Sequence, residues 1–279
     1  MSFRSTQVEK QSPQEGSPLC QPDACKSCGA CCGLYNYQDN SRAVLTERLR
    51  RRTECFATLR DDLDRYRHEV AAFEGPKLYE TIYNCEFLGF VDQGHKRVGC
   101  LLHPDINEGR DLRGISFYGE DLCRQHLCPS HEKLTTAEQV VVISLLDDWY
   151  LYGLCITDID LIKSYLAHIQ NAVGEEFNPP QMDTKPTLKR LMKEFFSWKE
   201  HWPFRRKEAL RFGKYYFLEG EYHIARIDYE GFGLAPSPYD GILLSLASEF
   251  RDRLEVSAAE EMVRKNIEGV IALYLTGER

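Results

Sequence analysis

The stretch Cys25-Lys26-Ser27-Cys28-Gly29-Ala30-Cys31-Cys32 carries four thiols within eight residues. A cysteine buried for packing usually stands alone, so scattered structural thiols do not explain a run this dense. Gaps of two residues let neighbouring thiolates turn toward one ion or cluster, and Gly29 lets the loop wrap closely around it. The stretch therefore predicts a metal-binding loop.

Further metal-capable side chains follow later in the chain. The predicted metal ligands are Cys25, Cys28, Cys31, Cys32, Cys85, Cys100, His103, Cys123 and Cys128. Cys31 ranks behind the others because adjacent thiolates seldom both reach one ion; it would then serve a second centre or a reactive role. Cys20 is not expected to be a ligand because it lies off the spacing of the cluster, and Cys55 is expected to lie on a helix.

The histidines and the remaining motifs leave several roles open. His103 follows Cys100 by three positions and precedes Pro104, which stiffens the loop beside it. This imidazole is interpreted as a metal ligand, as a hydrogen-bond donor to a thiolate or as a surface side chain. The motifs of serine hydrolases, P-loop proteins and zinc proteases are not found. The sequence therefore names no catalytic residue and does not decide whether the protein is an enzyme.

Composition restricts the class of protein and its partners. The chain has 279 residues, of which 43% are hydrophobic and 28% charged, so it can bury a core without help from a metal. A net charge of -8 argues against a nucleic-acid partner. The first residues lack the apolar core of a signal peptide, and the longest apolar run, at residues 140–146, is too short for a membrane span.

These observations lead to the expectation of a cytoplasmic protein with no membrane partner, acting on or with a protein that the sequence does not identify. A reducing compartment favours metal ligation over disulfides as the use of clustered cysteines. The chain holds eleven cysteines, an odd number that fits poorly with a fully paired disulfide framework.

Three regions are predicted along the chain. Residues 1–22, rich in Ser, Gln, Glu and Pro, form a disordered lead-in. Residues 23–134 form a Cys-rich metal-binding domain, and residues 135–279 a mostly helical region of unknown function. The predicted fold class is mainly α with small β elements (α+β), in which a Cys-rich metal-binding module accompanies a helical region.

Periodicity supports this fold class. Apolar residues at helical spacing over residues 45–73 predict one long amphipathic helix. A capping box at residues 135–138 predicts a helix that runs to about residue 152, and further helices follow Thr157, Pro186, Asp240 and Ser257. Two β-hairpins are predicted, one pairing residues 87–91 with 98–102 and the other pairing 215–218 with 222–227.

Two metals compete for the cysteines. The spacing Cys25-x-x-Cys28-x-x-Cys31 matches the loop by which bacterial ferredoxins supply three ligands to an iron–sulfur cluster, with a distant cysteine as the fourth. Thiolates also far outnumber imidazoles, so an iron–sulfur cluster of the [4Fe–4S] kind is favoured. Alternatively, Cys25 and Cys28 would bind zinc together with Cys100/His103 or Cys123/Cys128.

The order of these motifs resembles the YkgJ-like CxxCxxCC family of zinc- or iron-chelating proteins. The resemblance covers roughly residues 22–131 and rests on the Cys25–Cys32 stretch, Cys85 with Phe87-Leu88, Gly99-Cys100 with His103-Pro104, and Cys123-Arg124 with Cys128. It implies chelated zinc or iron. The flagellin lysine methylase family is more distantly similar in its cysteine pattern, and that similarity implies an iron–sulfur centre.

Three functions therefore stay open. The favoured one is a metal-binding protein that holds zinc or iron, as an iron–sulfur cluster, through its cysteines. The alternatives are a zinc-binding structural or protein-interaction module and an iron–sulfur-dependent protein-modifying enzyme of the lysine N-methylase type.

Overall fold

The structure is a computed structural model that describes residues 19–206, 211 and 213–276. These residues are mainly helical and contain two small antiparallel sheets, so the predicted fold class is confirmed at this level. The α-helices are α1 (Arg42–Leu59), α2 (Leu63–Ala71), α3 (Gly119–Gln125), α4 (Ser130–Lys133), α5 (Thr136–Leu145), α6 (Trp149–Ile156), α7 (Ile159–Val173), α8 (Gln181–Thr184), α9 (Pro186–His201), α10 (Asp240–Ser245) and α11 (Arg253–Thr276). The strands are β1 (Leu88–Phe90), β2 (Val98–Cys100), β3 (Tyr215–Leu218) and β4 (Glu221–Ile224).

Both predicted hairpins are present. In the first, β1 pairs with β2 so that Leu88 lies opposite Cys100. The Leu88 amide also donates to the Cys85 carbonyl at 3.3 Å, which places Cys85 at the same end of the hairpin as Cys100. In the second, β3 pairs with β4 through Leu218 and Glu221.

Two of the predicted helices are each divided in two. The prediction of one helix over residues 45–73 is wrong at its centre, because the Asp62 side chain accepts a hydrogen bond from the Arg65 amide at 3.1 Å and begins α2. The capping box is confirmed, but its helix, α5, ends at Leu145. Asp148 then accepts from the Leu151 amide at 2.9 Å and begins α6. In both places an N-cap aspartate starts a new helix where the apolar spacing continues.

The largest core lies among α5, α6, α7, α9, α10 and α11. The Tyr165 ring of α7 stacks on Phe195 of α9 with ring centroids 3.6 Å apart. The Tyr165 hydroxyl donates to Asn266 of α11 at 2.9 Å, and Asn266 donates to the Leu191 carbonyl at 2.9 Å. Because the buried Tyr165 hydroxyl and the Asn266 side chain both have partners, these hydrogen bonds hold α7, α9 and α11 at one relative rotation.

A buried ion pair joins α9 to the start of α7 and the end of α10. Lys199 is only 3% exposed, and its ammonium donates to the Asp158 carboxylate and to the Ser245 carbonyl, each at 2.8 Å. The other Asp158 oxygen accepts from the Leu161 amide at 3.0 Å and so caps α7. The charge of Asp158 is therefore compensated by the lysine and by the helix N-terminus.

The cores cross the boundary predicted at residue 134. Leu19 and Leu134 belong to the large helical core, while Trp149 and Tyr150 of α6 pack with Phe90 of β1. The predicted division into residues 1–22, 23–134 and 135–279 stays a prediction, and residues 1–18 lie outside the described part of the chain. None of the described helices has the length and apolar character needed to cross a membrane.

Two glycines allow close approaches around the cysteine loop. Gly33 has φ of +77°, and a Cβ there would lie 2.4 Å from the Tyr83 carbonyl oxygen. On α6, a Cβ at Gly153 would lie 2.2 Å from the Tyr35 hydroxyl, which donates to the Tyr150 carbonyl at 2.8 Å. Any side chain at either position would push the loop away from its support.

We expect Gly33→Ala to lower the free energy of unfolding by at least about 1 kcal/mol more than Gly174→Ala, measured by urea denaturation. Both glycines have positive φ, at +77° and +82°, so both substitutions carry the same backbone penalty. Only Gly33 faces a carbonyl oxygen, since nothing lies within 4 Å of a Cβ at Gly174. Equal losses would contradict the close approach to Tyr83.

We expect Lys199→Met to lower the free energy of unfolding by about 3–5 kcal/mol, because it leaves the Asp158 carboxylate in the interior without its cation. The matched control is Lys214→Met, which removes a 2.7 Å ion pair to Asp160 at the surface. This control should cost no more than about 1 kcal/mol. The same urea titration measures both, and a small loss for Lys199→Met would show that the buried pair is not needed.

Candidate metal centre

The chain reverses between Cys20 and Cys28, and this turn brings the two cysteines together. Asp23 makes the turn by accepting hydrogen bonds from the amides of Cys25 and Lys26 at 2.7 and 3.0 Å. The Cys28 amide then donates to the Cys20 carbonyl at 2.8 Å. Aspartate commonly stabilises such turns by bonding to backbone amides two and three residues on. Cys20 thus lies against the predicted metal-binding loop, although the sequence analysis did not include it among the ligands.

Cys31 and Cys128 are neighbours. The interaction between their two side chains raises the pKa of Cys31 and lowers the pKa of Cys128. His131 links this pair back to the start of the loop: its amide donates to the Cys128 carbonyl at 3.0 Å, and its Nε2 accepts from the Leu19 amide at 3.1 Å.

These four cysteines form what we call the first thiol group: Cys20, Cys28, Cys31 and Cys128. Burial raises the pKa of Cys28 to about 12, and negative charge on Cys20 and on Cys128 adds to the rise. Negative charge on Cys28 likewise contributes to the raised pKa of Cys31. The four sulfurs therefore lie within electrostatic reach of one another.

Cys32 turns toward a different set of residues. Its carbonyl accepts a hydrogen bond from the Cys85 amide at 2.9 Å. The segment around Cys85 is fixed by Arg52 of α1, whose guanidinium donates to the carbonyls of Cys85 and Leu88 at 2.9 and 3.2 Å. Arg52 is 2% exposed and also pairs with Glu74, so its charge is neutralised inside the protein.

Cys100 and Cys123 complete this set. Cys100 lies at the end of β2, and the Leu112 amide donates to the Leu102 carbonyl at 3.1 Å, which draws the following segment back to the hairpin. In that segment the Ser116 hydroxyl lies 3.1 Å from the Cys123 sulfur. Burial raises the pKa of Cys100 to about 11, and charge on Cys123 adds to the rise.

We call this set the second thiol group: Cys32, Cys85, Cys100 and Cys123. Burial is the largest cause of the raised pKa of Cys32, and negative charge on the other three members adds to it in the order Cys85, Cys100, Cys123. Aromatic rings lie beside this group. Tyr83 stacks on Phe117 with ring centroids 4.4 Å apart, and burial raises the pKa of the neighbouring Tyr118, with charge on Cys32 adding to the rise.

Both groups share a local backbone pattern. Burial raises the pKa of Cys28, Cys85 and Cys100, and the backbone N–H two residues later (Ala30, Phe87 and Leu102) opposes this rise. The N–H of Ser130 likewise helps to lower the pKa of Cys128. Such N–H groups stabilise negative charge on sulfur, and hydrogen bonds to sulfur help to set the reduction potentials of iron–sulfur clusters. The backbone is thus arranged to support thiolates at four positions.

The side chains are not gathered around a single point. Across residues 19–206, 211 and 213–276, no group of three or more His, Cys, Asp or Glu side chains is arranged so that it could hold a metal ion. All the described cysteines are free thiols. Neutral thiols gain little from facing one another, so nothing draws their sulfurs together. Rotation about the single χ1 torsion of a cysteine redirects its sulfur without moving the backbone. The donor set, made of sulfur, fits zinc or iron–sulfur chemistry.

The predicted ligands divide into those the structure brings together and those it does not. Seven of the nine lie in the two thiol groups. Cys25 is partly exposed and lies beside Asp23 in the turn, outside both groups. His103 instead accepts from the Asp105 amide at 3.3 Å and caps the 3-10 helix Pro104–Ile106. Ligand roles for Cys25 and His103 stay predictions.

The sequence analysis did not count Cys20 as a ligand and gave no role to His131. Both lie in or beside the first thiol group, since His131 contacts Leu19 and Cys128. The dipeptide Pro22-Asp23 is a turn signal that indicates a reversal of the chain between Cys20 and Cys28. For His131 the sequence holds no comparable signal.

Comparison with known proteins gives no relative: no family model, no curated protein and no solved structure matches the chain. The resemblance to the YkgJ-like CxxCxxCC family therefore stays a prediction that rests on the cysteine pattern.

Proposed function

We propose that this protein binds zinc or iron through cysteine thiolates, and that an iron–sulfur cluster is the resident group. The observation that carries the proposal is that contacts bring cysteines from distant parts of the sequence together, as in Cys28 with Cys20 and Cys32 with Cys85. Backbone N–H donors near Cys28, Cys85, Cys100 and Cys128 add to it, since they favour negative charge on sulfur. A cysteine that only fills space in a core has no need of a donor aimed at its sulfur. A metal-bound thiolate carries negative charge and is stabilised by one.

Burial supports the same chemistry. Cys85 and Cys128 are 5% and 7% exposed, and each lies beside other cysteines. Several thiolates this close together repel one another unless a cation lies between them. A metal ion would replace the thiol protons and supply the compensating positive charge. Residues of the two thiol groups would hold the metal, and a reducing compartment such as the cytoplasm would keep their sulfurs available.

The choice of iron–sulfur over zinc rests on the donor types. The two thiol groups contain sulfur donors, and the predicted imidazole ligand, His103, caps a 3-10 helix instead. Iron–sulfur clusters are held mainly by thiolates. Zinc with four thiolates is the second candidate, favoured by the same sulfur donors, and would make the protein a structural or protein-interaction module. The lysine N-methylase type of enzyme stays a prediction.

We expect the protein purified without oxygen to be brown and to contain iron and acid-labile sulfide in equal amounts, because thiolate-bound clusters of this kind contain both elements. The double variant Cys28→Ala/Cys100→Ala, which removes one sulfur from each thiol group, should lose at least half of the iron. Elemental analysis and visible absorption measure both quantities.

The control for this experiment is Cys55→Ala, which removes a partly exposed cysteine of α1 outside both thiol groups and should keep its iron. A colourless anaerobic preparation with stoichiometric zinc and no sulfide would replace iron by zinc as the native metal. A preparation without either metal that also fails to take one up would refute the proposal.

We expect Zn²⁺ to stabilise the reduced, metal-free protein against heat, because a ligand that binds only the folded chain raises its free energy of unfolding. At a free concentration one hundred times the dissociation constant, the gain is about 2.7 kcal/mol. Calorimetry with and without Zn²⁺ measures it. Ca²⁺ prefers oxygen ligands and serves as the control ion, which should leave the melting temperature unchanged.

A further inference from the structure

The two adjacent cysteines of the loop face different neighbours. Cys31 and Cys32 lie in the 3-10 helix Ala30–Cys32. A 3-10 helix has three residues per turn, so successive side chains point about 120° apart. Cys31 accordingly lies beside Cys128, whereas Cys32 packs, together with Cys100, against the buried cluster that contains Cys85. Their sulfurs are directed away from a common ion.

The first thiol group is joined in a closed circuit of contacts. A backbone hydrogen bond joins Cys28 to Cys20, and the Cys31 side chain lies beside that of Cys128. The circuit closes because His131 bonds both to the Cys128 carbonyl and to the amide of Leu19, the residue before Cys20. Four cysteines from two distant parts of the sequence are thereby held around one region.

The second thiol group is joined in the same manner. The Cys32 carbonyl holds the Cys85 amide, and the β1–β2 hairpin places Cys100 at the end where Cys85 lies. Arg113, in the 3-10 helix Arg113–Ile115, donates to the Asp111 carboxylate at 2.9 and 2.6 Å. This pair raises the pKa of Arg113, and charge on Cys100 and on Cys123 adds to the rise, which places the arginine near both thiols.

We infer that this chain holds two separate metal centres, the first bound by Cys20, Cys28, Cys31 and Cys128 and the second by Cys32, Cys85, Cys100 and Cys123. The inference rests on the proposed function and deepens it by assigning each sulfur to one centre. Four thiolates complete the coordination of a zinc ion or of an iron–sulfur cluster, so each group is sufficient for one centre. Cys20 is a ligand in this assignment, and Cys25 is not.

The three remaining cysteines are accounted for in other ways. Cys155 is fully buried in the helical core, where its sulfur lies 3.6 Å from the Phe196 carbonyl. Cys55 lies on α1, and Cys25 lies at the Asp23 turn. Cys25 is therefore the matched control for Cys20, since both belong to the same loop but only one belongs to a thiol group.

The test is the iron and sulfide content per chain of four alanine variants, prepared without oxygen and compared with the wild type. Alanine is preferred to serine because a serine oxygen can still bind metal. We expect Cys20→Ala and Cys85→Ala each to retain half of the wild-type metal, and Cys20→Ala/Cys85→Ala to retain none. Cys25→Ala should retain all of it. If zinc proves to be the native metal, zinc content is read in the same way.

The outcomes separate the assignment from the proposed function. A wild type that binds no metal overturns both. A wild type that binds metal, together with complete loss in either single variant, shows one shared centre and overturns only the two-centre assignment. Loss of half the metal in Cys25→Ala, or full retention in Cys20→Ala, overturns the choice of Cys20 over Cys25.

A second measurement on the wild type does not depend on whether the variants fold. The metal-loaded protein is treated with N-ethylmaleimide, and the modified cysteines are located by mass spectrometry before and after removal of the metal. Cys31 is exposed, so it should react faster without metal than with it, whereas Cys25 should react at the same rate in both states. Equal reaction of Cys31 in the two states would overturn its assignment to the first centre.

Discussion

The contact between α6 and the cysteine loop is the constraint on which the arrangement depends. All eight residues of α6 are buried, so this helix is surrounded by protein on every side. Its Tyr152 hydroxyl donates to the Leu19 carbonyl at 2.7 Å, and its Tyr150 carbonyl accepts from Tyr35 at 2.8 Å. Tyr152 therefore holds the chain just before the loop, and Tyr35 holds it just after. A helix that is apolar on all sides must be buried on all sides, and here the segments that flank the cysteine loop cover one side of α6.

The buried Arg52 side chain positions part of the second thiol group. Arg52 reaches from α1 to two carbonyls that flank the turn into β1. Its charge is neutralised by Glu74, and it also donates to the Tyr37 hydroxyl. Charged groups are costly to bury unless they are fully bonded, and removal of one partner leaves the other uncompensated. The turn at Cys85 is thus fixed by a network that tolerates little change. Packing of the helical core positions the first thiol group, whereas hydrogen bonding around Arg52 positions the second.

Local signals in the sequence predicted the elements that local interactions form. The capping box at Thr135 and the two hairpins follow from residues near one another in the chain. The breaks at Asp62 and Asp148 were missed because apolar spacing continues across each N-cap aspartate. Cys20 was set aside on spacing alone, since its proximity to Cys128 depends on how distant segments pack. No short-range pattern carries that information.

The two thiol groups differ in their contact with water. Cys31 is exposed and its neighbour Cys128 is buried, whereas in the second group Cys85 is buried and the other three members are partly exposed. Solvent exposure is one of the factors that set the reduction potential of an iron–sulfur cluster. Clusters bound as proposed would therefore differ in potential, although a single peptide bond connects Cys31 to Cys32.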